Sequence, residues 1–182
     1  MREQLIERAR SGDRDAFSQL AAGEVARLHA TARLILRDPD LAKDAAQEAL
    51  VRCWQQLPKL RSVAAFDGWL YRILVHAAVD ESRRRHRLEV SIRALPAEPF
   101  ASDSTQLVAD REQLERAFVR LSVNQRAVVV LHQYAGLTLD EVATAIGIAP
   151  GTARTRYYSA ISAMRDAVEA DARSPHPEEA LA

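Results

Sequence analysis

The stretch that decides the reading runs from Gly136 to Arg165, GLTLDEVATAIGIAPGTARTRYYSAISAMR. Thr138 is placed to cap a helix, and Glu141, three residues on, completes a capping box. Val142, Ala143 and Ile146 follow at helical spacing and face inward. Gly147 ends the helix where a left-handed backbone is needed and glycine carries no Cβ penalty, and Ile148 buries the turn. Pro150 and Gly151 open a second helix, packed through Ala153, Tyr157, Ile161 and Met164. Two helices joined by so short a turn make the helix-turn-helix layout, and small Ala143 permits their close approach. The second helix of that layout enters the major groove with its N-terminal residues at base edges. Those residues are Thr152, Arg154, Thr155, Arg156, Tyr158 and Ser159. Arginine pairs with guanine edges, and Ser and Thr take phosphates or bases. Gly151 to Arg165 holds three arginines and no acid, a pattern that an ordinary helical hairpin does not require.

Upstream, helical stripes run through Leu114, Phe118 and Leu121, and through Val128, Val129, Leu131 and Tyr134. Before them the periodicity fails. Pro96, Pro99, Ser102, Asp103, Ser104 and Thr105 are turn and loop formers, so residues 89–109 read as a linker centred on Ala97 to Thr105. The second domain then spans 110–170, and 171–182, with Ser174-Pro175-His176-Pro177, reads as a disordered tail. The first domain spans 10–88 and is nearly all helix. Ser11-Gly12-Asp13 breaks a first short helix, and Asp15 is a candidate cap for the next. Asp38 or Asp40 caps a third helix over about Leu41 to Leu57, which Pro58 ends. Lys59 to Ala65 is a loop, and a long helix starts near Phe66. The expected fold is all-α: two small helical domains joined by a flexible linker, the C-terminal one a helix-turn-helix.

Composition narrows the function. Of 182 residues, 48% are apolar, enough for a packed core. The N-terminal MREQLIERARSGDRDAF has no apolar run, so no signal peptide is expected, nor any membrane insertion; a cytoplasmic protein is. The single cysteine, Cys53, excludes an internal disulfide and reads as a small buried apolar group. The five histidines are scattered, so no metal site is expected. With no phosphate loop, dinucleotide fingerprint or nucleophile elbow, neither an enzyme, a cofactor nor a small-molecule substrate is expected. Net charge is zero, yet residues 1–87 hold 16 Lys and Arg against 12 Asp and Glu. That excess ends in Arg83-Arg84-Arg85-His86-Arg87.

Two further helices carry chemistry. In the third, Ala42, Ala45, Ala46, Ala49, Leu50, Cys53, Trp54 and Leu57 form the buried stripe. Asp44, Gln47, Glu48, Val51 and Arg52 lie opposite, a polar face suited to a protein partner. In the long helix, Trp69, Leu70, Ile73, Leu74 and Ala77 are core positions. Phe66 and Tyr71 are candidate exposed rings for stacking on unpaired bases, with Lys59, Arg61, Arg72 and the arginine cluster supplying phosphate contacts.

Taken together these residues resemble the bacterial sigma-70 family in its small extracytoplasmic-function, or group 4, branch. Asp44-Ala45-Ala46-Gln47-Glu48-Ala49-Leu50-Val51-Arg52-Cys53-Trp54 resembles the family's polymerase-binding helix. Trp69-Leu70-Tyr71-Arg72-Ile73 with Asp80 and Arg83-Arg84 resembles its −10 recognition and melting helix. Gln125-Arg126, Gly136-Leu137-Thr138, Glu141-Val142-Ala143, Gly147-Ile148, Gly151-Thr152 and Arg154-Thr155-Arg156 resemble its −35 domain. The resemblance implies binding of core RNA polymerase, at its β′ clamp and β flap, through Asp44, Gln47, Glu48, Val51 and Arg52. It implies −10 contacts from Lys59, Arg61, Phe66, Tyr71, Arg72, His76, Arg83 and Arg84, with the 59–65 loop capturing a flipped base. It also implies −35 contacts from the second helix-turn-helix helix, and control by an anti-sigma partner. His76 stands where the family has Asn, and Tyr157-Tyr158 where it has a Leu-Ser-like pair. Ser122-Val123 stands where it has prolines, which is expected to soften that helix start. The competing reading is a one-component helix-turn-helix regulator that binds DNA without polymerase.

Overall fold

The structure, a computed structural model, describes residues 1–91 and 106–173. The expected linker core from Ala97 to Thr105 and the tail from Ser174 lie outside those residues. Eight helices and no strand occur among the described residues. They are α1 (Arg2–Arg10), α2 (Arg14–Leu36), α3 (Pro39–Gln56), α4 (Phe66–Ser91), α5 (Gln106–Val119), α6 (Val123–Gln133), α7 (Leu139–Ile146) and α8 (Pro150–Arg173). Two short 3₁₀ turns, Leu57–Lys59 and Val63–Ala65, bridge α3 and α4.

Local chemistry sets the boundaries. Asp13, not Asp15, caps α2: its carboxylate accepts from the Asp15 and Ala16 amides at 3.0 Å each. Asp15 already lies inside the helix, where its side chain cannot reach the orphan amides of the first turn. Asp38 caps α3 by accepting from Asp40 and Leu41 at 2.9 Å, and Pro39 follows it with a φ preset for helix. Ser122 makes a full capping box with Gln125. The serine therefore anchors the start of α6 rather than softening it, because its hydroxyl satisfies an amide that proline could not. Thr138 and Glu141 form the second capping box, and Gly147 closes α7 at φ 71°.

Helix α3 lies between α2 and α4 on a stripe of small residues, Ala42, Ala45, Ala46, Ala49 and Cys53, all buried. Small side chains let the three backbones approach closely. Larger apolar groups fill around them: Leu28, Ile35, Leu57, Phe66, Leu70 and Leu74. Burial pushes the Cys53 thiol up to about 12, consistent with an inert core group. Leu114 and Tyr134, expected in packing stripes, are instead 53% and 55% exposed.

The two halves pack on each other. Helices α6 and α7 rest against α2 and α4, and Ala127, Val130, Leu131, Val142 and Ala145 join the core begun by the first four helices. Arg126 crosses this joint while 9% exposed. Its Nε donates to the Ile35 carbonyl at 2.6 Å, and its Nη1 to the carbonyls of Leu121 and Val119 at 2.7 and 3.2 Å. These acceptors sit at the C-terminal ends of α2 and α5, where orphan carbonyls concentrate negative charge.

A second buried polar group knits the N-terminal half. Glu24, on α2 and 5% exposed, accepts from Arg2 at 2.8 Å and from Arg27. Both arginines also bond Asp67 at the start of α4, at 2.6 and 2.7 Å. Arg2 lies over the Phe66 ring and Arg27 over that of Tyr71. The Arg2 bond, against partial burial, holds the Asp67 carboxyl down at about 2.

Two outcomes follow for stability. Replacing Arg126 with Ala should cost about 2–3 kcal/mol in chemical denaturation, because charged hydrogen bonds to buried carbonyls are lost; Arg126→Lys should recover only part, lacking the forked donors. The Asp67 carboxylate has a lower folded than unfolded value, so its stabilisation is present above pH about 4 and fades as pH falls toward 2. Asp67→Asn should therefore lower stability at pH 7 by about 1 kcal/mol, the group being partly exposed, with the difference from wild type vanishing near pH 2.

Candidate polymerase and promoter surfaces

Asp44, Gln47, Glu48, Val51 and Arg52 share one face of α3, at spacings of three and four residues. Asp44, Gln47 and Val51 are exposed, and Glu48 and Arg52 are half-buried. Arg52 donates to Glu48 at 2.7 Å and to Asp80 on α4 at 3.2 Å. The Glu48 bond chiefly, against some burial, pushes the guanidinium further up. Beside this face Phe17 and Trp54 rings meet at 4.9 Å, and with Leu50 and Val51 they line a shallow apolar groove. The sequence reading placed Leu50 and Trp54 in the core; both are half-buried at the groove edge. The α3 face is thus a polar strip with an apolar flank, the composition of a protein-docking surface.

The residues expected at unpaired DNA divide into three sets. Lys59 and Arg61 are exposed on the loop before α4, and Arg72 and His76 are exposed on α4 itself. Partial desolvation, reinforced by Arg72 and Arg52, pushes His76 down. Arg83 and Arg84 are exposed about 11–18 Å further along α4, where Arg84 pairs with Glu81 at 2.8 Å and approaches Asp44 at 3.9 Å. Phe66 and Tyr71 form the third set. Expected as exposed rings, they are 2% and 3% exposed. Arg2 and Arg27 cover their faces, and the α7 packing closes a cleft of about 750 Å³ beside Tyr71 and Arg72.

The helix-turn-helix residues come together as expected from their spacing. Thr152, Arg154, Thr155, Tyr158 and Ser159 are exposed on the first turns of α8, and Arg156 is half-buried beside them. Arg154 pairs with Asp140 on α7 at 2.8 Å. Tyr157 and Tyr158 differ. Tyr157 accepts from Gln133 Nε2 at 2.5 Å and meets His132 edge-on, whereas Tyr158 is 64% exposed. Ser122, Asn124 and Gln125, at the start of α6, share a groove with Thr152, Thr155 and Arg156. Sequence reasoning missed these three as part of the surface, since only the fold brings the two helix starts together.

Residues 22–88 match the family description Sigma-70 region 2, and residues 111–164 match Sigma-70, region 4. The chain belongs to the sigma-70 family. Its relatives place it in the extracytoplasmic-function branch. It is 35% identical over 151 residues to the ECF RNA polymerase sigma factor SigM of Mycobacterium tuberculosis, covering 80% of this chain and 74% of that one. It is 29% identical to the RNA polymerase sigma-H factor of Pseudomonas aeruginosa, covering 92% and 93%. Among solved structures it resembles CnrH in complex with the cytosolic domain of CnrY, with a TM-score of 0.65 and 26% identity over 93% of this chain and 97% of that one. No helix among the described residues is long and apolar enough to cross a membrane.

The tyrosine pair separates packing from recognition. Tyr157→Ala should cost about 2–3 kcal/mol of stability by emptying a packed site. Tyr158→Ala should leave stability within about 0.5 kcal/mol and weaken binding to a −35 duplex, read by fluorescence anisotropy.

Proposed function

We propose that this sigma factor docks on core RNA polymerase through the α3 face and reads a promoter at two points. The observation that carries the proposal is the pairing, in one chain, of a polar α3 strip with a helix-turn-helix whose second helix opens on an exposed face without acids. In this reading Asp44, Gln47, Glu48, Val51 and Arg52 meet the clamp, and the α5–α8 unit meets the flap while α8 lies in the −35 major groove. Thr152, Arg154, Thr155, Arg156, Tyr158 and Ser159 face that groove, with the starts of α6 and α8 against the phosphates. DNA would take Arg154 from Asp140, an exchange between exposed partners that costs little.

The exposed 59–65 loop, with Lys59, Arg61, Arg72 and His76, meets the unpaired −10 strand, and Arg83 and Arg84 lie toward the polymerase side of the same path. Phe66 and Tyr71 support this surface from within, covered by Arg2 and Arg27. The protein works in the cytoplasm, performs no chemistry of its own and answers to an anti-sigma partner. CnrH and the Bartonella quintana RpoE, which shares the fold, are both described in complex with partners, the latter with the anti-sigma factor NepR. A polymerase-independent regulator is the second reading, and the family membership disfavours it.

Run-off transcription with core polymerase tests the assignment. Arg154→Ala and Arg156→Ala should each reduce promoter-specific transcript, at about 1–3 kcal/mol per lost base contact, while core affinity is kept. Asp44→Ala with Gln47→Ala should weaken core binding and leave duplex binding intact. Intact transcription from both sets would sink these residue roles, and tight operator binding without polymerase would favour the regulator.

A further inference from the structure

Helix α1 precedes the part of the chain that matches region 2. Its contacts are specific. Ile6 and Ala9 are 2% and 1% exposed, so one face of the helix is anchored in the core. Both 3₁₀ turns of the 57–65 segment touch it. From its C-terminal end Arg10 Nη1 donates to the Leu60 carbonyl at 3.2 Å. From its N-terminal end Arg2 bonds both oxygens of Asp67, at 2.6 and 2.9 Å. Leu60 is the residue where the chain enters the exposed loop, and Asp67 is one residue into the helix where it leaves.

One helix therefore holds both ends of one loop. Arg2 and Arg10 are eight residues apart, about 12 Å along a rigid helix axis, and that length fixes the span the loop must bridge. Val63, midway, is half-buried in the 3₁₀ turn that touches α1 and shares a cleft with Leu5. On the α1 side the segment is held by these contacts; in front, Arg61, Ser62, Ala64 and Ala65 are exposed. A loop fixed at entry, middle and exit presents its outer atoms in one arrangement, which is what preorganised binding of an unstacked nucleotide requires.

We infer that α1 is a brace for the −10 loop, with Arg10 and Arg2 as positioning residues that hold Leu60 and Asp67 so that residues 61–65 meet the unpaired strand. The inference rests on the proposed role of that loop. Neither arginine touches DNA in it; both act through the backbone they fix.

The full chain, assembled with core polymerase, is tested on two promoters that share a −35 element and differ only in a matched or substituted −10 element. Open-complex formation is read by permanganate reactivity of −10 thymines. Arg10→Ala should reduce the matched-over-substituted ratio about tenfold, the scale of one charged hydrogen bond, with core affinity and −35 duplex binding unchanged. Arg10→Lys, which can still donate to the Leu60 carbonyl, should restore the ratio. Arg2→Ala should act in the same direction, and should it fail to fold, the Arg10 pair decides alone. An unchanged ratio in Arg10→Ala overturns the brace, as does a fall in core affinity matching the fall in ratio, which would mean general loosening. A wild-type protein that opens neither promoter with core polymerase overturns the sigma-factor roles themselves, a result distinct from either.

Discussion

A carboxylate inside the protein, that of Glu24, constrains the whole N-terminal half. Removing such a group from water costs several kcal/mol unless cations and hydrogen bonds replace the lost solvent. Arg2 and Arg27 supply them. One comes from α1 and the other from α2 itself, and both extend to Asp67 on α4. If α1 shifts, the buried Glu24 loses one of its two cations, and if α4 shifts, both arginines lose Asp67. The network therefore couples the start of the chain to the start of the helix expected at unpaired DNA. It also explains why the Phe66 and Tyr71 rings are not free: the cations that satisfy the carboxylates lie on their faces.

Charge elsewhere is organised by surface rather than by sum. The chain is neutral overall, yet the exposed start of α8 carries no acid and the α3 face carries Asp44 and Glu48. Arg52 and Arg84 link that acidic face to Asp80 and Glu81 on α4. The exposed start of α8, with Arg154 and Arg156, is only modestly basic, which limits what counterion release alone can contribute there; in the proposed reading, two surfaces held on one polymerase would reinforce each other through effective concentration.

The parts legible in the sequence were those set by local rules. The Thr138–Glu141 box, the Gly147 cap, the proline after α3 and the three-and-four spacing of the α3 face all act within a few residues, and each took the form expected. What was not legible depended on partners far away in the chain. Phe66 and Tyr71 carry no local sign of the arginines from α1 and α2 that cover them. Leu114 and Tyr134 fit an apolar period but find no facing surface. Ser122 was read against a family preference for proline and not for its own hydroxyl. Arg126 was seen only as part of a motif; its acceptor on Ile35 is 91 positions away.

That arginine has a consequence for how the protein tolerates change. Its three acceptors are peptide carbonyls, and a carbonyl is the same group whatever side chain it belongs to. Position 35, the one acceptor in the other half, can drift, as far as this bond is concerned, without a compensating substitution across the joint. This bond across the joint is thus specified asymmetrically: one side depends on a single codon, and the other on where α2 ends. Relatives could carry a different apolar residue at position 35, within what the core there accommodates, and keep this bond, provided that α2 stops in the same place.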